Sequence, residues 1–283
     1  MNRLAGKVAV ITGSSRGLGL AIARKYAEES ASVVITSRSV DSVEWVVAEL
    51  TKDGLTAAGL AADVSKYDDV QKLHDLALQK FGQLDIWVNN AGQVGPYGPT
   101  LDLCVDDFVS VQQTNILGVF YGSRVAMKTF MKQKHGKLIN MLGHGWKGPV
   151  PYQNAYSSTK SWVKSFTLAL AAETKDNGIS VIAYNPGMVK TELLTNGQVI
   201  KGHEHRLARF PMVVSILARE PEYPAGIALR LASSETDGKT GLVVSASSDL
   251  QATLSFLGYF IKKTFGRKMD LAEVNMESID PAE

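Results

Sequence analysis

One stretch near the start of the chain restricts the fold more than any other. A run with a strand pattern, Lys7-Val8-Ala9-Val10-Ile11, passes without a break into Thr12-Gly13-Ser14-Ser15-Arg16-Gly17-Leu18-Gly19, and a helical period follows over residues 18–29. A short apolar run bounded by turn residues reads as a strand buried on both faces, which occurs where helices cover both sides of a parallel sheet. The alternation then repeats. Strand patterns recur at residues 32–36, 56–61, 84–88, 137–140, 179–184 and 241–244, with helical periods at 41–53, 66–81, 105–132, 154–177 and 221–232. The helices are long enough to recross a sheet in the right-handed sense. The pattern predicts an α/β fold, a doubly wound parallel sheet of seven strands with helices on both faces. No linker rich in Pro, Gly or Ser divides it, so residues 4–248 read as one domain and 249–283 as an extension with a helical tail.

Composition excludes several classes. With 45% hydrophobic and 20% charged residues in 283, the chain has a core to bury and is not disordered. A net charge of +2 from scattered residues gives no field for nucleic acid, so no nucleic-acid partner is expected. The single cysteine, Cys104, makes no internal disulfide and no Cys-rich metal site; it reads as a half-buried thiol in a reducing compartment. Residues 1–6 lack a signal core and no apolar run is long enough to cross a membrane, so the expected location is cytoplasmic.

Glycines at 13, 17 and 19 permit a tight turn, close approach of backbone to a pyrophosphate and close helix–strand contact. The free N–H groups at the following helix start attract anions. Strand before and helix after are the context a Rossmann-type dinucleotide site requires. At the end of the second strand an acidic side chain would bond a ribose 2′-hydroxyl and repel a 2′-phosphate. Here the sequence reads Ser37-Arg38-Ser39, and Arg38 with Arg16 can clamp a 2′-phosphate, so NADP(H) is the expected cofactor.

With these motifs the chain resembles the short-chain dehydrogenase/reductase family from about Leu4 to Ser245. Asp63-Val64, Asn89-Asn90-Ala91-Gly92, Tyr156-Ser157-Ser158-Thr159-Lys160 and Pro186-Gly187-Met188-Val189-Lys190-Thr191 follow in the family's order and spacing. The resemblance implies a set of cofactor contacts: Gly13, Ser15, Arg16, Gly17, Leu18 and Gly19 in the loop, Arg38 and Ser39 beside it, and Asp63 and Val64 at the adenine. It continues through Asn90, Ala91 and Gly92, Tyr156 and Lys160, to Pro186, Gly187, Val189 and Thr191 at the nicotinamide. It places Asn115 where the family has an asparagine that kinks a helix and binds a proton-relay water. The Tyr–Lys spacing has its own reason: four residues are about one helical turn, so both side chains project toward one ligand. A nearby ammonium is expected to lower the phenol's pKa from about 10, so that Tyr156 exchanges a proton with the substrate oxygen during hydride transfer. Tyr259 and Lys263 repeat the spacing, but outside the sheet pattern.

The family pattern breaks at one point. The serine expected 13 positions before the tyrosine is Gly143, in Asn140-Met141-Leu142-Gly143-His144-Gly145. His144 is the first candidate to polarise a carbonyl in its place; main-chain N–H groups of residues 143–145, or a self-activated substrate, are the alternatives. Residues 85–92 and 186–194 resemble the chlorophyll b reductase branch, which reduces a formyl group on a chlorin with NADPH. The resemblance implies an NADPH-dependent reductase of a large apolar aldehyde or ketone, with a 3-oxoacyl or generic ketone reductase, or an NADP(H)-binding sensor without efficient catalysis, as alternatives.

Residues 192–220 are rich in apolar side chains and read as a substrate lid. His203 and His205 within them read as surface histidines, and no metal is expected. The tail carries Leu254, Phe256, Leu257, Tyr259, Phe260 and Ile261 before Lys262, Lys263, Arg267 and Lys268. That stripe reads as a helix packed on its own domain or another subunit, with contact to a membrane surface the lesser alternative. After the last strand, Ser245-Ala246-Ser247-Ser248-Asp249 replaces the family's usual Asp-Gly-Gly. The family suggests a homodimer or homotetramer and a small-molecule partner.

Overall fold

Short β-branched runs form the strands, and period two sorts their side chains between two cores. In the computed structural model, which describes residues 2–247, 253, 257 and 270–282, every residue of β1 (Val8–Ile11) is buried. Val8 and Val10 enter one core, Ala9 and Ile11 the other. The remaining strands of the main sheet are β2 (Ser32–Ile35), β3 (Ala57–Gly59), β4 (Ile86–Asn89), β5 (Gly136–Met141), β6 (Ile179–Asn185) and β8 (Leu242–Ser245). Their order is β3-β2-β1-β4-β5-β6-β8, parallel throughout, the seven-stranded sheet expected. Strand order reverses between β1 and β4, and a crevice opens at their carboxyl ends.

One face packs on α1 (Gly17–Glu28), α2 (Val40–Lys52) and α9 (Glu222–Ala232), with Tyr26, Leu50, Tyr184 and Leu229 in its core. On the other face lie α3 (Tyr67–Phe81), α5 (Gly118–Gln133) and α6 (Asn154–Glu173), which bury Leu73, Trp87, Phe130 and Leu138. The long helix predicted over 105–132 is divided: α4 (Val105–Gln112) runs into a π-helical turn, Gln113–Leu117, and then into α5. That turn carries Asn115. Cys104 precedes α4 and is exposed, against the half-buried thiol expected.

The region read as a lid has defined structure. It holds the short helix α7 (Glu192–Thr195), strand β7 (Asn196–Ile200) and α8 (Phe210–Leu217). Of the tail, Thr253 and Leu257 are helical, while Tyr259, Lys263 and the rest of the apolar–basic stripe lie outside the described residues. Beyond them, β9 (Asn275–Ile279) forms a second, two-stranded parallel sheet with β7. His203 is not a simple surface residue: it packs 5.7 Å from the Tyr152 ring, and its Nδ1 is buried without a hydrogen bond among the described residues. No helix among the described residues is long and apolar enough to cross a membrane.

A buried polar network ties the centre of the sheet to its helices. Trp87 Nε1 donates to Asn89 Oδ1 (2.7 Å), Asn89 Nδ2 donates to Asn140 Oδ1 (2.8 Å) and Ser123 Oγ (3.2 Å), and Asn140 Nδ2 donates to Thr167 Oγ1 (3.0 Å). All five residues are buried, so each lost bond strands a desolvated group. The network fits only because α5 carries Gly122, where a Cβ would collide with Asn89 Oδ1 and lie 2.5 Å from Trp87 Nε1. Gly122→Ala is predicted to destabilise the fold by about 2–4 kcal/mol through overpacking and a broken buried hydrogen bond. Urea denaturation measures this, and a change below about 0.5 kcal/mol contradicts it.

Candidate active site

The cleft begins where β1 ends. Thr12 Oγ1 accepts from the Asn90 and Ala91 N–H groups (2.9 and 3.0 Å), and Asn90 Nδ2 donates to the carbonyls of Thr12 and Gly13 (2.9 and 3.2 Å). The Asn90 side chain thus braces the glycine loop. Gly13 turns at φ 64°, where a side chain is strained, and a Cβ there would approach Ala91 Cα to 2.9 Å. Arg16 gives α1 no side-chain cap, leaving N–H groups at the helix start for an anion. Gly13, Ser15, Arg16, Gly17, Leu18 and Gly19 all line the cleft.

Of the two residues expected beside the loop, one lines the cleft and the other does not. Arg38 is on the wall and exposed. Ser39 is instead the N-cap of α2, its Oγ accepting from Ser42 N (3.2 Å), and Ser37 takes the cleft position. A serine just before a helical period is the ordinary N-cap signal. Arg16 is ion-paired with Glu192 of α7 across the mouth, a partner the sequence did not suggest. Asp63 and Val64 reach the wall, Asp63 held by bonds to its Oδ1 from Ser65 N (3.0 Å) and Oγ (2.7 Å).

Asn115 is fully buried in the π turn. Its Nδ2 donates to Gln93 O (2.8 Å) and Thr159 Oγ1 (3.1 Å), and its Oδ1 accepts from Gln93 N (2.9 Å). These bonds join the β4 loop to α6 one residue before Lys160. Gln93 itself lines the cleft, and sequence reasoning missed it, although it directly follows Asn90-Ala91-Gly92.

Tyr156 and Lys160 face the cleft from successive turns of α6, with Nζ 5.4 Å from the centre of the phenol ring. Lys160 is buried and donates to Met141 O (3.1 Å). The Tyr156 hydroxyl makes no hydrogen bond among the described residues. Burial pushes the Tyr156 phenol up to about 12 and the Lys160 ammonium down to about 8. Sequence reasoning expects the ammonium to lower the phenol's pKa, whereas in the protein alone burial moves it upward.

Gly143 explains its own identity. A Cβ there would collide with Tyr156 Oη and stand 3.0 Å from Cζ and 3.3 Å from Lys160 Cε. The phenol occupies the space a serine side chain would need. Beyond it, the N–H groups of Gly143, His144 and Gly145 find no acceptor among the described residues, while Gly143 and Gly145 are buried. The His144 side chain is exposed, and it too lines the cleft.

The far wall carries Pro186, Gly187, Val189 and Thr191. It is set by Asn185 Nδ2 donating to Ser245 Oγ (2.9 Å) and by a bridge between Val189 and Arg219. The Thr191 methyl group lies beside Gly17, so this wall closes on the glycine loop. The whole cleft encloses about 1710 Å³. Tyr97 and Met276 also line it, which the sequence did not suggest.

Comparison with known proteins agrees with this geometry. The chain matches the family described as short chain dehydrogenase over residues 7–198. It is 34% identical over 240 residues to glucose 1-dehydrogenase 2 of Bacillus subtilis, covering 84% of this chain and 92% of that one. It is 34% identical over 214 residues to a probable chloroplastic chlorophyll(ide) b reductase of Arabidopsis thaliana, covering 69% of this chain but 43% of that longer one. Among solved structures, an actinorhodin polyketide ketoreductase variant with NADPH superimposes with a TM-score of 0.78 at 27% identity, over 87% of this chain and 97% of that one. With the sheet order, the glycine loop and the Tyr156–Lys160 pair in one cleft, these matches make the chain a member of the short-chain dehydrogenase family.

Proposed function

We propose that the protein is an NADPH-dependent oxidoreductase that reduces the carbonyl of a large apolar aldehyde or ketone to an alcohol. The observation that carries this reading is the Tyr156 hydroxyl, without a hydrogen-bond partner among the described residues, one helical turn from Lys160 and facing the cleft that the glycine loop opens. The missing acid at Ser37-Arg38-Ser39, the exposed Arg38 and the NADPH held by a structural relative support the phosphorylated dinucleotide. The loop residues 13 and 15–19 would hold its pyrophosphate, Arg38 its 2′-phosphate, and Asp63 and Val64 its adenine. Asn90, Ala91 and Gly92 and the 186–191 wall would hold the nicotinamide half, with Lys160 on the ribose. For Arg16 to join Arg38 it must leave Glu192.

When bound, the dinucleotide would supply a hydride to the carbonyl carbon. As the carbonyl π electrons move onto oxygen, Tyr156 delivers the proton that completes the alcohol, and Lys160 stabilises the phenolate left behind. Burial leaves the Tyr156 phenol protonated at neutral pH, so it carries the proton that the reductive direction needs, and the charge of Lys160 favours the phenolate formed once that proton has gone. Asn115 holds Gln93 and Thr159, and so keeps this end of α6 in place for the proton relay.

The carbonyl oxygen needs a donor where Gly143 offers no hydroxyl. Gly143 packs against the Tyr156 hydroxyl, and the N–H groups of its turn, which find no acceptor among the described residues, would supply a small oxyanion site there; buried N–H groups without a partner, as at Gly143 and Gly145, are rare enough to mark a ligand position. We therefore assign the polarising role to this backbone turn in preference to the exposed His144 side chain.

The substrate end is lined by Tyr97, Trp146, Leu193, Phe210, Leu217 and Tyr223. Two of the cations at its rim are ion-paired, Arg16 with Glu192 and Lys190 with Glu220, and Arg219 lies over the Tyr223 ring. This favours an uncharged, apolar substrate, of which a formyl-bearing chlorin is one instance. Relatives of equal identity are named for a sugar and for chlorophyll, so this reading rests on the chemistry of the wall and not on the degree of identity.

Four outcomes test the reading. NADPH oxidation at 340 nm against aldehydes and ketones of rising size should appear with large apolar carbonyls. Tyr156→Phe should lower kcat at least about 1,000-fold with NADPH binding intact; tight NADPH binding without turnover of any carbonyl by the wild type would instead favour a sensor. His144→Ala should keep kcat within about threefold, whereas Gly143→Ser, by displacing Tyr156, should lower it at least about 100-fold. A loss in His144→Ala as large as in Gly143→Ser would return the role to the imidazole. Finally, Lys160 titrates at about 8 in the free protein, so its charge is present below that pH and lost above it. The kcat/KM for NADPH should fall as pH rises through about 8, and a flat profile from about pH 6 to 10 contradicts the role given to Lys160.

A further inference from the structure

Strand β7 is a central strand with two different neighbours. Gln198 O accepts from Tyr97 N (2.8 Å) and Ile200 N donates to Tyr97 O (2.9 Å), so the even residues of β7 turn their backbone groups toward the β4 loop. Successive residues of a strand point these groups in opposite directions, so Gly197 and Val199 face β9; Lys201 N donating to Ile279 O (2.9 Å) continues that side. Five register pairs join the strands, from Asn196 with Asn275 to Ile200 with Ile279.

Side chains and flanking backbone reinforce the pairing. Lys201 pairs with Asp280 (2.6 Å), Ser278 Oγ donates to Glu204 Oε1 (2.8 Å), Ala272 N donates to Ser215 Oγ (2.7 Å) and Ala282 N to Asp102 O (3.0 Å). The C-terminal segment therefore holds the 192–220 region at β7, at the turn after it and at α8, and also reaches the β4–α4 connection. Surface ion pairs alone add little, but a five-residue ladder with side chains packed in one small core adds more. Ile279 and Ile200 pack in that core with Leu103, Val111 and Ala155.

One residue of β9 enters the cleft. Met276 lines it beside Gly197, where a Cβ would come to 3.0 Å from Met276 Sδ. The absence of a side chain at 197 is what lets the thioether reach the substrate end. A flexible, polarisable thioether suits an apolar surface that must fit a large flat molecule.

We infer that β9 is a fixed wall of the substrate site, holding the 192–220 region in place, and that Met276 is a specificity-determining residue for the bulk of the substrate. This rests on the reductase reading for the identity of the substrate end, but its test does not depend on turnover. The probe is 1-pyrenecarboxaldehyde, whose binding is followed by its own fluorescence, with NADPH binding measured alongside. Met276→Trp should weaken pyrenecarboxaldehyde binding at least about tenfold and leave the Kd for NADPH within about twofold. Glu277→Pro removes an N–H on the β7 side of the ladder and should speed deuterium uptake across residues 196–201 at least about tenfold, with NADPH binding again retained.

Absence of pyrenecarboxaldehyde binding by the wild type, equal binding by Met276→Trp, or equal exchange in Glu277→Pro and wild type would each overturn the inference. Binding of the aldehyde without its reduction or that of any other carbonyl would count against the reductase reading alone.

Discussion

The hydrogen bonds between Thr12 and the Asn90–Ala91 backbone join the ends of the two strands between which the sheet order reverses. Most of what the site can do depends on that junction. A parallel sheet that winds outward in both directions leaves a crevice at its switch point, but a crevice in loop backbone is soft unless something spans it. Asn90 spans it with a side chain that satisfies two carbonyls of the glycine loop, so the anion-binding start of α1 is held at a set distance from the β4 loop. From there Gln93 passes the order on to Asn115, and Asn115 to Thr159 on α6. A chain of polar contacts thus runs from the phosphate end of the cleft to the turn that carries Tyr156 and Lys160.

At the reactive end the deciding physics is desolvation and space. Burial raises the phenol and lowers the ammonium, each toward its neutral form, so in the protein alone the phenol is protonated and there is no resident phenolate. The same tight packing removes room for a side chain at 143. What looks in the sequence like a lost catalytic group is, in three dimensions, the condition for the phenol to lie where it does. The turn after it offers main-chain N–H groups, which need no side-chain volume.

The sheet and the cofactor end were legible because their signals are local. Buried strands announce themselves as β-branched runs, and the loop from Thr12 to Gly19 must sit between a strand and a helix for its geometry to work. The Tyr156–Lys160 pair was legible through one helical turn. Other features depend on partners far along the chain. Asn196–Ile200 and Asn275–Ile279 carry few β-branched residues and become strands only by pairing with each other. The π turn at Asn115 leaves the helical period almost unchanged, so periodicity read one helix from 105 to 132, and the placement of Asn115 came from family resemblance. Ser39 carries two signals that conflict: its neighbour Arg38 suits a phosphate, while the helix that Ser39 begins takes its hydroxyl as a cap. The pairing of Arg16 with Glu192 needed the lid's position, which no local pattern contains.

The central claim is that one cleft brings a dinucleotide hydride and the Tyr156 proton to a large apolar carbonyl. Its most direct test is a single-turnover reaction with NADPH deuterated at the transferring position of the nicotinamide and a bulky aromatic aldehyde, followed by mass and NMR analysis of the alcohol. The account predicts one deuterium on the carbinol carbon, placed stereospecifically, and a hydroxyl proton that exchanges with solvent. An alcohol formed without that deuterium, or no alcohol at all at saturating NADPH, would contradict it.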